Sequence, residues 1–269
     1  NNLKGIKAFH NDQSLRDSSV SFLNLYFNVF NQDYAKIIDM EEVADQSYDL
    51  MEAFLLAQEL ANNKLEKASE NLDRQNKLFA DKYGINLVEG NDKTSLKLKN
   101  SSEVLNYHNK VYLVLFKAQK QEMYLLNAIE QGNLIAVEQN RNALLSISNE
   151  GLSKLLEIKS FKGDNSINSA CKKVLLFYKD EVENKMTIIT EFLLIKEEYE
   201  KTVTLFESKD KSLLTSEEIN KYNEMIVKYN NGVNKFNTIN TNLYNKRINL
   251  LNNWDEAAIH FKSKHIPKN

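Results

Sequence analysis

Apolar residues recur three and four positions apart along most of this chain, the spacing that lines one face of an α-helix. Leu23, Tyr26, Phe30, Tyr34 and Ile37 predict a first helix over about 14–39, with Ser14 as its N-cap and Asp17 in the first turn. A turn or bend follows at 39–46, where Asp45 can cap what comes next. A second helix, about 46–83, keeps a strict three-four alternation through Tyr48, Met51, Leu55, Gln58, Ala61, Leu65, Ala68, Leu72, Gln75 and Phe79, the seam of a left-handed bundle or coiled coil. Gly84 is suited to its C-terminal stop. The polar stretch 85–99, with Glu89-Gly90-Asn91-Asp92, reads as a loop.

A third helix is predicted over 101–131, with Asn100 and Glu103 in a capping-box arrangement and Val104, Tyr107, Val111, Val114, Leu115, Ala118, Leu125 and Ile129 as its apolar face. Gly132-Asn133 turns the chain into a fourth helix ending near Lys159, with Gly151 inside it. A fifth runs over 168–207 through Val174, Phe177, Met186, Ile189, Phe192, Tyr199, Val203 and Phe206. The charged stretch 209–214 is a hairpin tip, and Thr215 with Glu218 forms a capping box. A sixth helix then runs over about 216–264 along Tyr222, Ile226, Tyr229, Val233, Phe236, Leu243, Leu250, Trp254, Ala257 and Phe261, interrupted at Asn240 and Arg247 and stopped by Pro267.

The chain repeats itself. Residues 6–26, IKAFHNDQSLRDSSVSFLNLY, align without gaps to 158–178, IKSFKGDNSINSACKKVLLFY; Ile6/Ile158, Lys7/Lys159, Phe9/Phe161, Asp12/Asp164, Ser14/Ser166, Leu23/Leu175, Tyr26/Tyr178 and Ile37/Ile189 are identical. The ends of the second and sixth helices also match: Asn63-Lys64, Asn71, Asp73, Phe79 and Lys82 recur as Asn245-Lys246, Asn253, Asp255, Phe261 and Lys264. This second alignment needs an offset thirty residues larger, so the second copy carries a longer helical hairpin. The expected fold is all-α: an elongated up-down bundle of long antiparallel helices with an internal duplication. Residues 1–84 form a truncated first repeat, 85–99 a linker, and 100–267 a second repeat folded as a four-helix bundle with an extended hairpin. The first repeat either packs on that bundle as a half-copy or belongs to a separate bundle. In the second case its apolar face favours a homodimer.

Composition sharpens this picture. The 269 residues include one proline and seven glycines, far too few for the turns of a sheet protein. The formal net charge of −2, without a basic stripe, argues against nucleic acid as a partner. No apolar run reaches the ~20 residues that span a bilayer. Cys171 lies in an apolar stripe, matches Ser19 of the first copy, and reads as a small core residue.

Candidate chemistry is sparse. None of His10, His108, His260 and His265 has a glutamate three residues before it, so the paired motif of a di-iron bundle is missing and no metal or other cofactor is expected. There is no nucleophile elbow, phosphate-binding loop or dinucleotide fingerprint, and the chain reads as non-enzymatic. The projecting hairpin supplies the candidate partner contacts: Lys209, Lys211, Leu213 and Leu214 at the tip, and Tyr222 and Tyr229 on the arm. Both tyrosines also fit seam positions against the fifth helix, and Leu213 or Leu214 fits a hydrophobic staple before Thr215. Gln58, Gln75, Asn240 and Arg247 place polar groups on seams, the pattern of a bundle that senses a small ligand between helices.

Residues 106–267 resemble a family of uncharacterised helical surface proteins described from leptospires and Bacteroidetes. The resemblance rests on Tyr107-His108-Asn109 opening a helix, an Ile-x-x-Phe-x-Gly-Asp connector at 158–164, Leu175-Leu176-Phe177-Tyr178-Lys179-Asp180, and a last helix closing on Phe261 to His265. Lys110 departs from the acid often found at that position. The resemblance implies an extracytoplasmic protein, periplasmic or at the cell surface, lipid-anchored upstream of this chain or otherwise held there, and no catalytic residues. The function expected from sequence is binding or scaffolding toward a protein or cell-envelope partner; the alternative is an extracytoplasmic small-ligand sensor.

Overall fold

The computed structural model describes residues 2–88 and 93–266, with the side chains of 93–96 and 211 outside the description. The described chain is helical almost throughout. α1 (Ser14–Asn28) passes through a π-helical turn (Val29–Asp33) into α2 (Tyr34–Ala44). α3 (Tyr48–Tyr83), α4 (Lys93–Glu130) and α5 (Leu134–Glu157) follow. α6 (Ser166–Asp180) passes through a second π-helical turn (Glu181–Lys185) into α7 (Met186–Glu207), and α8 (Ser216–His265) closes the chain. The chain divides into two compact units, one of Asn1–Leu113 with Lys262–Asn269 and one of Val114–Phe261.

Local geometry repeats where the sequence does. Phe9 and Asp12 exchange backbone hydrogen bonds of 3.1 and 2.8 Å, and Phe161 and Asp164 exchange bonds of 3.0 and 2.8 Å. The two residues between them are left-handed in both copies: His10 and Asn11 at φ 47° and 63°, Lys162 and Gly163 at 50° and 83°. This is the backbone of a tight turn with positive φ at both central positions. The aspartate closing each turn accepts from the second residue after it, Ser14 N–H to Asp12 Oδ1 at 2.8 Å and Ser166 N–H to Asp164 Oδ1 at 2.9 Å. The phenylalanine opening it packs edge-on against the matching ring of the long helix, Phe9 on Phe79 and Phe161 on Phe261. Arg16 in one copy and Asn168 in the other donate to the carbonyl of the same repeat position, Ile6 or Ile158. The π-helical turns, too, fall at identical repeat positions.

Several expected boundaries move. Ser14 is the first helical residue and Asp12 supplies the capping carboxylate. α2 runs on to Ala44, and Ser47 rather than Asp45 caps α3, accepting from Leu50 N–H at 3.2 Å. α4 begins at Lys93, so the 93–99 end of the expected 85–99 loop is helix, and Asn100 and Glu103 lie within it instead of capping it. Residues 89–92 and Pro267 fall outside the described residues. Asn240 is exposed, not on the seam, which passes through Leu243 and Arg247. Gly84 ends α3 in the left-handed conformation, and Asn133 caps α5 by accepting from Ala136 N–H.

The core of the second unit explains why a glycine sits inside α5. A Cβ at Gly151 would lie 2.9 Å from Leu175 Cδ1 and 3.0 Å from Val114 Cγ1, so glycine lets α5 approach α6 and α4 closely. Gly151→Ala should therefore destabilise the chain by about 1–2 kcal/mol, overpacking outweighing the gain in helix propensity. Urea unfolding at neutral pH measures it, and a stabilised variant would show that Leu175 and Val114 yield freely. Cys171 is fully enclosed in the same core, where burial pushes its thiol up to about 12.

Candidate functional site

The second unit buries a charged cluster. Arg247 of α8 donates through Nε to Glu122 Oε1 of α4, and through Nη2 to Glu181 Oε1 at 2.7 Å. The two carboxylates and the guanidinium are buried, and Tyr178 is fully enclosed beside them. The second Glu181 oxygen and the Tyr178 hydroxyl make no hydrogen bond of good geometry, and both lie close enough to Glu122 to interact with it. The ring of Phe177 lies 5.8 Å from the Arg247 guanidinium carbon. Glu181 opens the second π-helical turn, and Arg141 of α5 donates to the Val182 carbonyl at 2.8 Å, engaging backbone that the wider turn frees.

Two acids and one base in a dry core cannot all stay charged at low cost. Burial, followed by the neighbouring Glu122 charge, pushes the Glu181 carboxyl up to about 8; burial also raises Glu122, against the pull of Arg247. The two raised carboxyls therefore favour keeping one proton between them at neutral pH, which leaves the cluster formally neutral. Such a cluster can store a proton, hold the helices in register and couple their packing to pH.

The first copy has no such cluster. Val29 stands at the repeat position of Glu181, and Leu65 at that of Arg247. The sequence flagged Arg247 as a polar residue on a seam but missed its partners. Their signal was present: Glu122 lies four residues after Ala118 and three before Leu125, inside the apolar stripe of α4, and Glu181 occupies a position that is valine in the other copy.

The expected contact residues sit on the α7–α8 hairpin. Its inner seam is aromatic: Phe206 stacks on Tyr222 with centroids 4.0 Å apart, Tyr199 on Tyr229 at 4.1 Å, and Phe192 on Phe236 at 4.6 Å. Tyr222 and Tyr229 are thus half-buried between the arms rather than displayed. Thr215 and Glu218 form the reciprocal capping box, Thr215 N–H to Glu218 Oε2 at 3.0 Å and Glu218 N–H to Thr215 Oγ1 at 3.2 Å. Lys209 pairs with Glu218 across the tip. Leu214 is half-buried, Leu213 is exposed, and the Lys211 side chain lies outside the description. The tip concavity between Phe206, Leu214 and Tyr222 encloses only 80 Å³.

A larger groove of 380 Å³ lies in the first unit between α3 and α4, with Asp49, Glu52 and Glu59 on one wall and Asn106, Asn109 and Lys110 on the other. Gln58 and Gln75 are half-buried on α3 and line neither concavity. Among the described residues, no three His, Cys, Asp or Glu side chains gather to hold a metal ion, and no helix is long and apolar enough to cross a membrane. Comparison with known protein families, curated proteins and solved structures finds no match.

Proposed function

We propose that this chain is a non-catalytic binding or scaffolding protein that contacts a protein or cell-envelope partner through the α7–α8 hairpin. The observation that carries this reading is the difference between the copies. The second hairpin is thirty residues longer than the first, and no residue of α7 beyond Leu193 is buried. The aromatic seam stiffens the two arms, while Leu205, Leu213, Ile219 and Val227 remain exposed along them. A stiff arm with aliphatic side chains on its outer surface suits contact with another macromolecule better than it suits stability. The resemblance of residues 106–267 to exported helical surface proteins supports a periplasmic or cell-surface setting, with a lipid anchor upstream as one means of attachment.

The repeat suggests the test. Replacing residues 197–229 by the Asp45-Gln46-Ser47 turn of the first copy shortens the hairpin to its counterpart's length. The trimmed chain should keep its helicity and cooperative melting, and should lose saturable binding to the envelope fraction of the producing cells. Equal binding by the trimmed chain would overturn the reading.

The groove between α3 and α4 favours a second reading, a sensor of small cationic ligands, since the carboxylates of Asp49, Glu52 and Glu59 on one wall outnumber the single cation, Lys110, that stands with two amides on the other. Thermal-shift measurements with a panel of polyamines and basic amino acids test it, and a shift abolished by Glu52→Gln with Glu59→Gln would support it.

A further inference from the structure

The two copies treat one helix face differently. In the second unit, α5 packs on α6 and covers Leu175 and Val182, which are 0% and 1% exposed. Their repeat partners Leu23 and Phe30 are 49% and 54% exposed. Phe27 and Ile38 extend this stripe at 68% and 61% exposure. At those two positions the second copy has Lys179 and Thr190. The first copy therefore carries large apolar side chains at two positions where its twin has half-buried polar ones. A face left to solvent would be expected to drift toward polar residues.

We propose that the stripe of Leu23, Phe27, Phe30 and Ile38 is a self-association surface, on which the same stripe of a second copy of this chain packs antiparallel about a two-fold axis near Phe30. Three observations select a second copy. The first is area. At about 200 Å² for a large side chain, the four residues expose roughly 450 Å², so a pair buries ~900 Å² of apolar surface. Interfaces are about 60% apolar, which scales this to ~1,500 Å² in total, within the range of stable dimers.

The second is charge. The end of α2 and its turn carry Asp39, Glu41, Glu42 and Asp45 with no base, whereas the segment entering α1 carries Lys4 and Lys7, and Arg16 in the first turn of α1 pairs with its neighbour Asp17. The acid in that segment, Asp12, is held by Lys82 at 2.6 Å and by Tyr83. Antiparallel pairing about Phe30 brings each acidic end to the mate's basic end. The third is form. Two copies of the α1/α2–α3 pair joined along this stripe put four helices around one core, the arrangement that the second unit reaches within a single chain.

The experiment is light scattering during size exclusion on the full chain, from about 1 to 100 µM. The wild type should be a dimer at the upper end, weakened by high salt. Phe27→Glu with Phe30→Glu should be a monomer throughout, with unchanged far-ultraviolet dichroism because both side chains are exposed. Should that pair perturb helicity, Ile38→Lys alone should raise the dissociation constant at least tenfold. A wild type that stays monomeric at 100 µM overturns the proposal and leaves the face to a helical partner of α5 type. A glutamate variant that remains dimeric overturns it as well.

Discussion

Replacing Arg247 by methionine should destabilise the chain by about 3–5 kcal/mol, the cost of leaving buried carboxyls without their base. Among the described residues, Arg247 is the one cation hydrogen-bonded to both Glu122 and Glu181, and both acids are buried. Without Arg247 both carboxyls must be protonated at neutral pH. The first copy indicates how the loss is recovered, since Val29 and Leu65 fill the matching positions with hydrocarbon. Glu122→Leu with Glu181→Val and Arg247→Met should be as stable as the wild type or more so, because an apolar layer avoids the desolvation that a buried ion cluster carries. Guanidinium unfolding of the single and triple variants measures both. A single variant costing under ~1 kcal/mol would mean that water reaches the cluster.

The second large effect concerns pH. The Glu181 carboxyl is raised from 4.5 to about 8 in the folded chain. Between those values the folded state keeps a proton that the unfolded state has released. This contribution to stability is therefore whole below about pH 4.5 and is lost as pH rises to about 8. The loss should be on the order of 2–4 kcal/mol, since the shift is shared with a strongly interacting neighbour. His108 works against it: burial lowers its pKa from 6.5, so its protonation opposes folding as pH falls below that value. Glu181→Gln isolates the glutamate. The variant mimics the protonated acid, so it should match the wild type near pH 5 and exceed it near pH 8.5. Parallel stability curves for the two proteins would place the proton elsewhere.

Much of the fold was legible because helices announce themselves locally. The Thr215–Glu218 capping box and the Gly84 stop lie where their chemistry demands, since each depends on neighbours within a turn of the chain. The repeat was legible for a related reason: Asp12 and Asp164 close the same two-residue turn by bonds between adjacent residues. The errors share a cause as well. Ser14 and Asp45 are good capping residues by type, but Asp12 and Ser47 are the ones that reach the free N–H groups, and backbone path decides reach. Lys93 to Lys99 read as loop because the stretch is polar; it is nevertheless continuous with a helix whose buried apolar face starts only at Val104.

Sequence alone determined the all-helical class, the duplication and the thirty-residue surplus of the second hairpin, because each depends on spacing along one chain. Tertiary structure alone decided that Glu122, Glu181 and Arg247 meet. They come from three elements, and Arg247 lies 125 residues from Glu122. It also decided that Tyr222 and Tyr229 turn inward while Leu23, Phe27, Phe30 and Ile38 are left uncovered. Periodicity specifies that a helix has an apolar face. Which neighbour, if any, covers that face depends on distances between segments that no local pattern encodes.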